Sequence, residues 1–238
     1  MPEKKFHDKS LTAHGAGPKE QVSRRNFLGY AGISATVLLG ASSCSKFDFP
    51  KPLEKPKGKV DLGSGDFGVL NYAYALEQLE AAFYIKVTQS FYSGATSKEK
   101  MYLEDIRDHE IAHREFFKNA LGNNAIGNLE FDFSSINFSS RESVLGTAKA
   151  FEDLGVSAYN GAGELLKSAD YLLIAGKIVS VEARHAAAVR DLIKYGDFAG
   201  PDVVNKQGLD VFRRPPEVLK IADMYIVTKI HANNLPTS

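Results

Sequence analysis

Residues 76–84 read Leu76-Glu77-Gln78-Leu79-Glu80-Ala81-Ala82-Phe83-Tyr84, and residues 151–159 read Phe151-Glu152-Asp153-Leu154-Gly155-Val156-Ser157-Ala158-Tyr159. Both stretches place a Tyr seven positions after a Glu: Glu77 before Tyr84, Glu152 before Tyr159. Each is followed by a Glu-x-x-His pair, Glu110/His113 after the first and Glu182/His185 after the second. On a helix, residues i and i+3 share a face, and i to i+7 is two turns along one stripe. The chain thus repeats one unit twice, and the repeat predicts four helices that bring four carboxylates and two imidazoles to one interior place. That is the ligand set of a carboxylate-bridged pair of metal ions in a four-helix bundle.

The physics of burial supports this. An isolated ionised carboxylate is very costly to bury, and four facing one another repel. Two divalent cations remove both difficulties, because the negative charge becomes the ligand field. In this reading Glu77 and Glu152 each serve one metal, Glu110 and Glu182 bridge the two, and His113 and His185 complete one metal each. Carboxylate oxygen with imidazole nitrogen suits iron or manganese better than a thiolate-preferring metal. A single Glu-x-x-His is more often a surface pair; two in repeat-related positions carry the argument. Glu80 also falls on the inner side of the first helix, but its repeat counterpart is Gly155, so it is read as a supporting residue or one that contacts a channel. Tyr84 and Tyr159 are read as core residues whose hydroxyls bond nearby carboxylates. His109, beside Glu110, is expected to point away from the stripe to the surface.

The helical reading follows from periodicity. A first helix is expected over about 67–91, with Leu70, Ala73/Tyr74, Glu77, Ala81, Tyr84 and Thr88 facing inward. Thr96 with Glu99 is a capping box that opens a second helix ending at Leu121, before Gly122. Ile106, Glu110, His113 and Phe117 form its buried stripe. Residues 122–138 carry turn residues and then Phe131, Phe133 and Phe138. They are too long for a simple helix-to-helix turn and long enough to cross the length of a bundle. A third helix starts near Ser139, with Glu142 completing a capping box, and ends by Gly161 or Gly163. A fourth runs from Ser168 to Tyr195, and a last one from Pro215-Pro216-Glu217 to about His231. No convincing strand appears, so the chain reads as all-α.

Residues 1–44 stand apart. Ser23-Arg24-Arg25-Asn26-Phe27-Leu28 is a twin-arginine export pattern, followed by a modest apolar run from Phe27 to Ala41. An uncleaved N-terminal anchor is the alternative, although the run is short for a membrane span. Cys44, the only cysteine, cannot form an internal disulfide. Its position suggests a lipidated N-terminus after signal cleavage; ordinary signal-peptidase cleavage nearby is the rival. Lys and Arg total 29 against 29 Asp and Glu; six and three of these fall in residues 1–44, leaving 23 and 26 beyond, net −3. No basic patch suggests nucleic acid. Residues 45–65, with three Pro and five Lys, read as a solvated tether, and residues 66–238 as one domain.

The residues quoted above, with Leu70-Asn71-Tyr72-Ala73 and Val181-Glu182-Ala183-Arg184-His185, resemble the ferritin-like superfamily over about residues 66–195. The likeness extends to its secreted, desiccation-related branch. It implies a ferritin-like four-helix bundle with a long crossover between the second and third helices, here with an extra C-terminal helix. It also implies a dimetal site at Glu77, Glu110, His113, Glu152, Glu182 and His185. It does not imply one reaction. The first expectation is an exported dimetal oxidoreductase acting on ferrous iron, peroxide or dioxygen, carried by the twin-arginine export machinery and held at the membrane by a lipid anchor in the periplasm or cell envelope. A homodimer is compatible with it. The second is a non-enzymatic envelope scaffold with a structural metal.

Overall fold

The computed structural model describes residues 59–236. The twin-arginine pattern, Cys44 and the tether up to residue 58 lie outside the described residues. Four long helices, α1 (Gly65–Gln89), α2 (Ser97–Leu121), α3 (Arg141–Gly163) and α4 (Ala169–Ile193), form the bundle, with a short α5 (Pro215–Ala222) behind them. Two strands of two residues each, β1 (Val60–Asp61) and β2 (Ile230–His231), pair in parallel. The all-α reading holds, with this one small ribbon added. α1 packs chiefly on α2, and α3 on α4.

The segment between α2 and α3 is the expected crossover, and its contacts trace its path along α1. Asn71, near the start of α1, donates its amide to Asn124 O and accepts from Ile126 N. Two turns on, Gln78 accepts from Leu129 N and donates to Gly127 O. Phe83 then meets Phe133, and Lys86 lies over the Phe138 ring, 4.7 Å from its centroid. The contacts climb in step, so the crossover travels beside α1 from one end to the other and sets α3 antiparallel to α1. A covered loop must find partners for its backbone polar groups. Asn71 and Gln78 supply them, which is why two amides are buried on this helix beside the acidic residues. The covering also explains why α1 is buried without a break from Gly68 to Ala81, rather than along one stripe.

Helix starts follow the sequence closely. Thr96 and Glu99 form the expected capping box. Glu99 also accepts from Arg141 Nε at 2.6 Å, while Arg141 Nη2 donates to Leu192 O, so one guanidinium joins the start of α2, the start of α3 and the end of α4. The cap of α3 is Ser140, accepting from Ser143 N, and not the expected Ser139–Glu142 box. The largest correction lies at the C-terminus, where the last helix stops at Ala222 instead of running to about His231. The residues that follow include Ile226, Val227, Thr228 and Ile230, β-branched side chains that favour extended backbone. They find partners there: Val227 N donates to Glu130 O, Thr228 Oγ accepts from Glu130 N, and Val60 N and Leu62 N donate to Lys229 O and His231 O. Leu62, fully buried, shows that the last residues of the stretch read as tether belong to the folded body.

Candidate metal centre

The inner faces of α1 to α4 bring the six expected residues together. Glu77, Glu110, Glu152 and Glu182 are each 0% exposed and His185 is 4% exposed, with His113 nearly as buried. His113 Nδ1 lies 2.7 Å from Glu182 Oε1, 3.5 Å from Glu77 Oε2 and 3.8 Å from Glu110 Oε2. His185 Nδ1 lies 2.8 Å from Glu110 Oε1, 3.4 Å from Glu182 Oε2 and 3.6 Å from Glu152 Oε2. The division is exact by atom: Glu110 and Glu182 each turn one oxygen to each histidine, whereas Glu77 serves only the His113 side and Glu152 only the His185 side. Two groups result, Glu77/Glu110/His113/Glu182 and Glu110/Glu152/Glu182/His185, each with its ligand atoms within 4.8 Å of one another.

Eight buried atoms here lack a partner in hydrogen-bond geometry: Glu77 Oε2, both oxygens of Glu110, both of Glu182, Glu152 Oε2, and Nδ1 of His113 and His185. Buried polar atoms are nearly always satisfied, so eight orphans in one place mark something more than packing. They comprise six oxygens and two nitrogens, crowded within a few ångströms of one another. Two divalent cations would cancel the charge of four carboxylates while leaving both imidazoles neutral. The residues fit a pair of cations in donor type, number and charge.

The electrostatics of the protein without cations show the same crowding. Burial lowers the pKa of His113, but Glu77, Glu110 and Glu182 outweigh it and hold the ring charged. His185 is likewise pulled down by burial, yet pushed up to about 12 by Glu152, Glu110 and Glu182. Glu182 is raised by burial, but contacts from both histidines bring it down to about 2. Glu110 is raised well above the carboxylate range by burial and by Glu182. Without metal, protons take over part of the task of neutralising the cluster.

The two tyrosines close the site in a crossed arrangement. Tyr84, on the helix of Glu77, donates to Glu152 Oε1 at 2.5 Å, and Tyr159, on the helix of Glu152, donates to Glu77 Oε1. The crossing follows from topology. Where two helices run antiparallel, a Glu and a Tyr two turns apart on one lie opposite a Tyr and a Glu on the other, at a matching offset of about 10 Å. Each hydroxyl occupies the outer oxygen of a carboxylate whose inner oxygen is an orphan, which orients that carboxylate. Glu80 is buried beside the cluster but belongs to neither group.

His109 departs from expectation. The residue is exposed as a whole, yet its Nδ1 lies 2.9 Å from His185 Nε2. The ring planes differ by 9° with centroids 5.1 Å apart, a separation the N···N distance and the two ring radii account for. The rings therefore meet end-on and nearly coplanar, in an imidazole–imidazole hydrogen bond. One helical step of about 100° from Glu110 leaves His109 on the flank of the stripe, where α4 comes within reach. A His immediately before a Glu-x-x-His was the available signal; only the α2–α4 spacing shows that it connects.

The family model for the ferritin-like domain matches residues 65–195. The matched span covers α1 to α4 and every residue of the cluster, and the chain belongs to the ferritin-like domain family. No curated protein matches the chain.

Proposed function

We propose that this protein is an exported dimetal protein, binding two iron or manganese ions between Glu77, Glu110, His113, Glu152, Glu182 and His185 and acting on ferrous iron, peroxide or dioxygen outside the cytoplasm. The observation that carries the reading is the set of eight orphaned atoms, divided so that two carboxylates face both histidines and two face one each. Bound ions of this kind would supply one- and two-electron redox chemistry that no side chain here provides. The chain's own residues orient and insulate: Tyr84 and Tyr159 fix the outer oxygens of Glu152 and Glu77, and the packed helices keep bulk water from the carboxylates. The twin-arginine pattern supports export of an already folded, loaded domain, with Cys44 as the anchor point.

The test is elemental analysis of protein produced in its native host, followed by ferrous-iron oxidation and peroxide-consumption assays. Two equivalents of iron or manganese with turnover of either substrate is the expected result. A domain that contains neither metal and takes up neither would overturn the proposal. Complete burial of the four carboxylates also suits a structural metal in an envelope scaffold. A protein that is loaded but inert toward both substrates would select that second reading.

A further inference from the structure

We infer that His109 is a positioning residue for one metal only, and that it makes the two halves of the centre unequal. The inference rests on the dimetal reading above and adds a difference between the two positions that the repeat does not contain. An imidazole that presents Nδ1 to a cation carries its proton on Nε2. For His185 that proton points at His109 Nδ1, 2.9 Å away, in a near-coplanar alignment with an interplanar angle of 9°. His109 thus accepts from His185, selects the tautomer that leaves Nδ1 free for the metal, and fixes the ring's rotation. Partners of this type typically change metal affinity by about 10- to 100-fold.

The other half has no such device. In the repeat, Glu110 corresponds to Glu182 and His113 to His185, so the counterpart of His109 is Val181. Valine has no side-chain acceptor, and among the described residues no hydrogen bond reaches His113 Nε2. The two rings thus differ at Nε2: His185 has a hydrogen-bond partner there in the plane of its ring, and His113 has none among the described residues. The position served by Glu152 and His185 is accordingly the tighter one, and the position served by Glu77 and His113 fills second.

The experiment is titration of the metal-free domain with Co(II), following the visible bands of the bound ion and the free-ion concentration, in the wild type, His109→Val and His109→Asn. Valine copies residue 181. Asparagine places its Oδ1 where His109 carries Nδ1 and so keeps the acceptor. The wild type is expected to bind two ions in distinct steps. His109→Val should weaken the tighter step by tenfold or more, leaving the weaker step unchanged, and His109→Asn should restore it. Binding by His109→Val identical to wild type, or equal weakening of both steps, would overturn the inference while leaving the dimetal reading intact. A wild type that binds no ion would overturn both.

Discussion

Glu80 fills the hollow that Gly155 leaves: a Cβ built on Gly155 would stand 2.9 Å from Glu80 Oε1. The two occupy equivalent places in the internal repeat, so a position where the repeat breaks is also a place where its two copies touch. Two glutamates here would put a second unpaired carboxylate in the same space. The pair Glu/Gly is the solution the sequence holds, and it leaves Glu80 buried with no hydrogen bond or ion pair from a described residue. Burial, and then the charges of Glu110, Glu182, Glu152 and Glu77, raise its pKa well above the carboxylate range.

Gly155→Ala forces that carboxylate aside. The atoms displaced are the far end of a flexible side chain, and Ala is favoured over Gly within a helix by about 0.5–1 kcal/mol, so the two effects oppose each other. The double variant Glu80→Ala/Gly155→Ala, which has no carboxylate to displace, should therefore be more stable than Glu80→Ala alone in urea denaturation. Glu80→Ala alone should retain most of its metal by elemental analysis. Metal loss as large as that of a Glu110 variant would make Glu80 a ligand.

Bridging and terminal carboxylates should differ in count. Glu110 turns an oxygen to each histidine, so Glu110→Ala is expected to abolish or severely weaken both sites. Glu77 faces one histidine only, so Glu77→Ala is expected to leave about one equivalent of metal bound. Metal-to-protein ratios by mass spectrometry separate the two variants, and equal ratios would contradict the assignment of bridging roles.

Tyr84→Phe and Tyr159→Phe each remove the donor from a buried carboxylate oxygen. An orphaned buried acceptor costs about 1–3 kcal/mol, more if charged. Each variant should unfold at lower denaturant and bind metal more weakly while still binding two ions. Variants as stable as the wild type, with unchanged metal affinity, would reduce the tyrosines to space-filling.

The dependence on pH has a definite sign. The pKa of His185 in the fold, about 12, exceeds the value of about 6.5 expected in the unfolded chain. Its contribution to the stability of the metal-free protein is complete below the unfolded value and is lost as pH rises through the folded one. Metal uptake runs the other way, because the cation must displace the ring proton. Between about pH 6 and about pH 8, the rise in melting temperature produced by Mn(II) should grow. A rise that shrinks with pH would argue against histidine ligands.

Much of this was legible beforehand because helices convert sequence spacing directly into direction. Glu77 and Tyr84, or Glu110 and His113, lie on one face wherever the helix packs, so the residues that gather in the cluster could be read from positions alone. The resemblance to the ferritin-like family reached the same six residues. His109 could not be read this way. It lies one step off the stripe, and whether such a residue faces solvent or a neighbour depends on how far away the next helix runs. The C-terminal segment failed for a related reason: its β-branched residues between Ile226 and Ile230 favour extended backbone only modestly, and backbone partners on Glu130, Val60 and Leu62, distant in sequence, decided their conformation.

The sequence by itself determined four helical segments and the repeated acidic and imidazole side chains on their inner faces, since both follow from the 3.6-residue period. Tertiary structure alone decided which carboxylate meets which tyrosine, that Glu80 rests against Gly155, and that His185 is gripped from behind by His109. Those pairings depend on the crossover laying α3 antiparallel to α1 and on the distance between α2 and α4. Relations between segments are set by packing, and no local period encodes them.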